Sequence, residues 1–268
     1  MQIWGVLNLT RDSFYSKSRV TQSEFVEKAI KFLEQGADRL DIGAESTRPF
    51  AEPVSTEEEW QRLYHPLLSL KSQIGPNEFY RRVSVDTYKP EIARRVLELG
   101  VGTINDVSGG TQVEMLQRVA ESDCDYVIMH AQGNPSNMQL SPEYADVLSE
   151  VSAFLQKRVQ EAKAYGIAAE RLILDPGIGF GKNLEHNMAL IANPGHLRIE
   201  HLRLLYGISR KSFLEKLLGL AAPEDRGEAG ISVHTWLYLQ GVDILRVHDI
   251  KTTAAVRVFL QSVDRFKR

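Results

Sequence analysis

A repeated alternation constrains this chain more than any other feature: a short apolar run, a polar turn, then a helical stretch. The apolar runs are Ile3–Leu7, Arg39–Ile42, Val83–Val85, Gly102–Ile104, Tyr126–Met129, Leu172–Leu174, Leu204–Ile208 and Ile244–Val247. Near-continuous aliphatic runs of this kind suit parallel strands covered on both faces. Between them lie amphipathic stretches, among them Ser23–Glu34, Glu57–Ser72, Pro90–Leu99, Val147–Tyr165 and Thr252–Phe266. Thr56 before three glutamates reads as a helix start, and Gly36, Gly100 and Gly166 read as helix stops. No Pro/Gly/Ser-rich linker divides the 268 residues. A (β/α)8 TIM barrel, which needs about 250 residues, is therefore expected as a single α/β domain over residues 1–268. An open doubly wound sheet is the competing arrangement.

The polar residues at the end of each run carry the chemistry. Asn8 comes after the first and Gly43-Ala44-Glu45-Ser46-Thr47-Arg48 after the second. Asp86-Thr87 ends the third, Asn105-Asp106 the fourth, His130 the fifth and Asp175-Pro176-Gly177 the sixth. Ser209-Arg210-Lys211 ends the seventh, and Arg246 with His248-Asp249 the eighth. In a parallel barrel all these ends converge on one mouth. Asp, Asn, Ser and Thr also cap helices, so any one of them has a structural reading. Arg, Lys and His are poor caps, and the full set describes a polar site.

Asp86, Asn105 and Asp175 offer acceptors and an amide suited to the amino-pyrimidine edge of a flat heterocycle. Arg48, Lys211, Arg246 and His248 form a cationic set suited to phosphate or carboxylate. Asn8 could complete the shell of Mg²⁺, an ion that keeps several waters and takes few protein oxygens. Gly177-Ile178-Gly179-Phe180-Gly181-Lys182 fails the phosphate-loop pattern, because Pro176 stands where its first glycine belongs and Asn183 follows the lysine. It reads either as a loop allowing close backbone approach to a ligand, with Phe180 exposed, or as purely structural. His130 is expected to be structural more readily than a ligand. Asp41, inside a strand, needs a partner and either orients the site or pairs structurally. No Ser-His-Asp arrangement and no histidine spacing typical of a metal site is present.

The net charge of −3 and the lack of a basic block argue against a nucleic-acid partner. Cys124 is the only cysteine and reads as a small buried hydrophobe, which suits a reducing compartment. No apolar run reaches the roughly 20 residues of a membrane span. A soluble, cytoplasmic protein is expected.

Several segments then resemble, in order, those of dihydropteroate synthases. Asn8-Leu9-Thr10-Arg11-Asp12-Ser13-Phe14 is similar to the family's N-V-T-x-D-S-F. Asp41-Ile42-Gly43-Ala44-Glu45-Ser46-Thr47-Arg48-Pro49 is similar to its D-I-G-G-E-S-T-R-P loop. Ser84–Thr87, Ile104–Gly110, Met129-His130, Leu174–Lys182, Ser209–Phe213 and Arg246–Asp249 complete the series. The resemblance implies condensation of a pterin pyrophosphate with p-aminobenzoate in folate synthesis. It implies a pterin held by Asp86, Asn105, Asp175 and Lys211 with Arg246 against its ring, and Met129 and Gly207 in the same pocket. It places the pyrophosphate on Thr47, Arg246, His248 and, through Mg²⁺, Asn8. It places p-aminobenzoate against Phe180, Pro49 and Arg48, beside Lys211 and Ser212. Lys211, Arg246, His248 and Asp86 are implied as catalytic, with a homodimer and a sulfonamide target. The mouth placement predicts that Lys211→Ala or Asp175→Ala removes turnover with little loss of fold.

Departures fall in the first loop, where Tyr15-Ser16-Lys17-Ser18 replaces the family's Ser-Asp-Gly-Gly. Arg11 also stands for a usual proline, and Ala44 for a second glycine. They leave open a paralogue that binds a pterin without catalysis. A methyltetrahydrofolate–corrinoid methyltransferase is the other alternative, and Thr47-Arg48 with Arg246 and His248 speak against it.

Overall fold

The computed structural model describes residues 1–9, 19–45, 53–133, 142–209, 211, 217, 219 and 226–266. Eight described strands close into a barrel in sequence order: β1 (Gln2–Asn8), β2 (Arg39–Gly43), β3 (Val83–Asp86), β4 (Thr103–Asp106), β5 (Asp125–Met129), β6 (Leu172–Asp175), β7 (Arg203–Gly207) and β8 (Ile244–Val247). All pairings are parallel, and β1 closes the ring by pairing with both β2 and β8. The open-sheet alternative is thereby excluded. Each strand lies within two residues of its expected run. The consistent difference is at the mouth, where Asn8, Asp86 and Asp175 are the last rungs of their strands and Asn105 the last but one, not turn residues. Asn8 pairs with Gly43, Gly43 with Asp86, and Asp86 with Asn105, so one in-register row carries the polar groups around half the mouth.

The helices are α1 (Arg19–Glu34), α2 (Thr56–Ile74), α3 (Pro76–Arg82), α4 (Pro90–Glu98), α5 (Val113–Ala120), α6 (Val147–Ala164), α7 (Leu184–Ala192), α8 (Arg226–Leu239) and α9 (Ile250–Asp264). Gly36, Gly100 and Gly166 have φ of 103°, 91° and 90°, as helix stops require. The start of α2 is corrected by one position: Ser55 is the cap, its Oγ accepting from Glu58 N at 3.2 Å, and Thr56 is already helical. α9 starts earlier than the periodicity suggested because Asp249 caps it, accepting from Thr252 N at 3.2 Å.

Period-two alternation splits the strand residues between two cores. Outward residues such as Ile42, Val85, Ile104, Ile128 and Leu174 join Phe25, Leu63, Leu67 and Phe79 of the helices in one continuous apolar cluster. Inward residues Trp4, Val127, Ile173, Leu205 and Ile244 form a separate cluster, fully buried, which fills the barrel. Below it Asp125 joins Arg39 at 2.9 Å and Arg203 at 2.8 Å, and the Arg39 guanidinium lies 5.1 Å from the Trp4 ring. The barrel is thus closed at its N-terminal end by packing and ion pairs. Its free polar surface lies at the other end.

Candidate active site

Two positions above the apolar layer, alternation turns Asp41 and Ser84 inward; four positions above Trp4, it does the same for Asn8. Asp41 is fully buried and accepts from three directions. Ser84 Oγ donates to its Oδ1 at 2.6 Å, while Asn105 Nδ2 at 3.0 Å and Arg246 Nε at 2.5 Å donate to Oδ2. Arg246 also donates from Nη2 to Asp86 Oδ2 at 2.8 Å. One guanidinium therefore bridges the carboxylates of β2 and β3 from across the barrel. Burial alone would lower the Arg246 pKa, but Asp41 and Asp86 hold it above its ordinary value. Burial raises the Asp86 pKa despite Arg246, with Asp41 adding to the rise.

Because Asp41 can only accept, the Asn105 amide is oriented with its nitrogen toward it. Its Oδ1 is buried and has no hydrogen-bond partner among the described residues. An orphaned buried acceptor of this kind costs roughly 1–3 kcal/mol, which an incoming N–H would recover.

The opposite half of the mouth is built by β6 and β7. Asp175 is buried and accepts from Gly177 N at 2.7 Å; burial raises its pKa, and Lys211 opposes that rise. Lys211 donates to the Ile178 carbonyl, and its ammonium lies 4.6 Å from the centre of the Phe180 ring. Burial brings the Lys211 pKa down to about 8, with Asp175 acting against it. Gly207 pairs with Arg246, and a Cβ built there would lie 3.9 Å from Lys211 Nζ. The glycine leaves room where the two cations approach. Met129, in register with Asp175, is buried beside it. Phe180 is half-buried, which corrects its expected exposure: it stacks under the lysine.

A Cβ at Gly43 would lie 3.7 Å from Asn8 Oδ1 and 3.5 Å from Asp86 Cβ, so glycine leaves a cradle next to that amide oxygen. The amide oxygen is a donor type that Mg²⁺ accepts, and the cradle gives space for its waters. The residues present fit the ion on those grounds. Among the described residues there is no group of three or more His, Cys, Asp or Glu able to hold a metal. The His248 backbone N–H donates to Ser209 Oγ at 3.3 Å, tying the ends of β7 and β8 together. Thr47, Arg48, Pro49 and Ser212 lie outside the described residues, as does the altered first loop.

Some strand-end polar groups are structural. Asp106 accepts from Ser108 N at 2.8 Å, Gly110 N at 2.9 Å and Tyr126 Oη at 2.6 Å, which shapes the loop after β4. His130 faces the Lys182 ammonium at 2.9 Å from Nδ1, and burial pushes its pKa down to about 3. It is a neutral acceptor inside the fold. Asp41 is the residue whose importance the sequence left open; it joins Ser84, Asn105 and Arg246 into one unit.

Fold and site together define a barrel enzyme whose mouth sets a buried carboxylate–amide group beside two cations. Residues 4–248 match the family of pterin binding enzymes. The dihydropteroate synthase of Escherichia coli K12 is 39% identical over 96% of this chain and 89% of its own length. Among solved structures, dihydropteroate synthase from Yersinia pestis, in complex with a sulfonamide drug, superposes with a TM-score of 0.90 at 35% identity, covering 98% of this chain and 94% of that one. The Xanthomonas albilineans dihydropteroate synthase with 4-aminobenzoic acid gives 0.90 at 36% identity, over 99% and 94%. This chain belongs to the pterin-binding enzymes and, within them, to the dihydropteroate synthase family.

Proposed function

We propose that this chain condenses 6-hydroxymethyl-7,8-dihydropterin pyrophosphate with p-aminobenzoate, giving 7,8-dihydropteroate and pyrophosphate in folate biosynthesis. The observation that carries the reading is that Asp86, Asn105 and Asp175 are all buried at the barrel mouth, with Arg246 bonded to Asp86 and Lys211 acting on Asp175. Carboxylates accept the N–H edge of the pterin, and the orphaned Asn105 oxygen takes another donor. The C–O bond between the pterin methylene and the pyrophosphate breaks with its electron pair leaving on pyrophosphate. The arylamine nitrogen forms the new C–N bond and then releases a proton.

Arg246 and His248 stabilise the charge that develops on the leaving group. Thr47 is assigned to the same anion. Lys211 and Phe180 orient p-aminobenzoate, and Arg48, Pro49 and Ser212 are assigned to its outer side. Met129 and Gly207 shape the pterin pocket. Asn8 would hold Mg²⁺, which when bound neutralises pyrophosphate charge. In support of the arylamine assignment, the X. albilineans relative holds 4-aminobenzoic acid. The Y. pestis relative holds a sulfonamide drug, and the same subsite here would take sulfonamides.

A second copy of the chain is the proposed partner. α9 exposes Val258, Phe259 and Val263, and the adjoining α8 exposes Trp236 and Leu239, an apolar face a homodimer would cover. Among the described residues no helix is long and apolar enough to cross a membrane, and we assign the protein to the cytoplasm. The test is release of pyrophosphate and dihydropteroate from purified protein. Turnover requiring both substrates and Mg²⁺, and lost on chelation, supports the proposal. Pterin binding by calorimetry without turnover would favour the non-catalytic paralogue. Sedimentation at micromolar concentration decides the dimer.

A further inference from the structure

Lys182 is 3% exposed, and its ammonium lies within hydrogen-bond distance of four acceptors. They are His130 Nδ1 at 2.9 Å, the His130 carbonyl at 3.3 Å, the Gly177 carbonyl at 3.1 Å and the Phe180 carbonyl at 2.9 Å. An ammonium has three donors, so all are engaged. The acceptors come from two mouth loops, the one leaving β5 and the one leaving β6. The two loops also touch directly. Gly177 has φ of +67°, and a Cβ there would fall 1.8 Å from the His130 carbonyl oxygen; at Gly181, with φ of +61°, it would fall 2.3 Å from that of Gln132. Residues 177–181 are therefore pressed on residues 130–132 and tied to them by one buried cation.

The other side of the same loop faces the site. The Ile178 carbonyl accepts from Lys211, and the Phe180 ring lies beneath the Lys211 ammonium. Two lysines thus grip one short segment from opposite sides, and only Lys211 belongs to the reaction. We propose that Lys182 is a positioning residue for the arylamine half of the site, setting the place of Phe180 and of Lys211 through the backbone of residues 177–181. Burial holds the Lys182 pKa down to about 7, with Asp175 opposing the fall and Lys211 adding to it.

The proposal rests on the synthase reading, and its test separates the two. In full-length Lys182→Met, each substrate is varied in turn and amide hydrogen exchange is followed over residues 177–181. The p-aminobenzoate KM should rise roughly tenfold, while that for the pterin pyrophosphate stays within about threefold. Exchange over 177–181 should quicken while that of β3 and β4 is unchanged. Equal rises in both KM values, or unchanged loop exchange, would overturn the proposal. Should Lys182→Met fail to fold, Lys182→Gln fills the space with a neutral, shorter group that reaches fewer of the four acceptors. It should raise the p-aminobenzoate KM selectively, and no selective rise overturns the proposal. Wild-type protein without turnover would defeat the synthase reading alone, and the exchange measurement would still decide the role of Lys182.

Discussion

Asn105 donates from Nδ2 to Asp41 Oδ2 at 3.0 Å, and this bond turns its orphaned Oδ1 into a fixed acceptor. Replacing Asp41 by Asn removes the charge that Arg246 and Asn105 share, although Arg246 keeps Asp86. Breaking a buried ion pair from one side costs about 3–5 kcal/mol, and the retained partner reduces this to about 2 kcal/mol. Asp41→Asn should fold, lose about 2 kcal/mol in urea unfolding, and fall about 100-fold in kcat/KM for the pterin substrate. Ser84→Ala, which removes only the 2.6 Å bond to Oδ1, should cost about 1 kcal/mol with a small kinetic effect. Equal kinetic losses in the two variants would count against a special role for Asp41.

Asp175 has two separable duties. It accepts from Gly177 N and offsets the charge of Lys211. Asp175→Asn keeps an acceptor for the amide, whereas Asp175→Ala leaves the N–H unpaired at a cost of about 1–3 kcal/mol. Both variants should lose turnover, but only alanine should lower the melting temperature clearly. This contact adds a predicted stability cost to the expectation that Asp175→Ala spares the fold; for Lys211→Ala the expectation is unchanged. Equal melting temperatures for the Asn and Ala variants would refute the split.

His234 gives a pH signature. It is buried, its Nδ1 is 3.2 Å from Thr253 Oγ1, and that hydroxyl donates to the Asp249 carbonyl, so the ring donates from Nδ1. Burial lowers its pKa to about 4. Between the ordinary value of about 6.5 and the folded value, the unfolded chain binds a proton that the folded chain refuses. The stabilisation is complete above about pH 6.5 and declines as pH falls, by about 1.4 kcal/mol per unit. The stability deficit of His234→Gln relative to wild type should therefore shrink by about 2 kcal/mol from pH 7 to pH 5. A constant deficit would show that His234 is not neutral in the folded state.

Asp125 should separate stability from activity. It joins Arg39 and Arg203 at the end of the barrel away from the mouth. Asp125→Ala strands two partly buried cations and should cost about 2–4 kcal/mol, leaving kcat/KM within about twofold at a temperature where the variant is folded. A large kinetic loss in fully folded protein would mean that the two ends are coupled.

The strands were legible because apolar runs stand out, and the mouth because polar residues interrupt each run at its C-terminal end. Asp41 was harder to read. It sits inside a run, and its partners Ser84, Asn105 and Arg246 are 43, 64 and 205 residues away, a relation that exists only once the barrel closes. α3, α5, α7 and α8 were not singled out in the sequence. Lys182 drew attention through its glycines, which suggested a ligand loop; its four acceptors include backbone carbonyls that no motif records. Asp106 and Asp249 look like site residues in sequence, and only geometry shows them shaping a loop and capping a helix.

The packed floor beneath Asp41 makes the barrel a well with one opening. Trp4, Val127, Ile173, Leu205 and Ile244 block passage toward the N-terminal end, so traffic in both directions uses the mouth. The deeper ligand must arrive first and depart last, and whatever rests near Phe180 is a stopper for what lies below. Order of loading is then a matter of queueing, and a tight outer ligand traps the inner one without touching it.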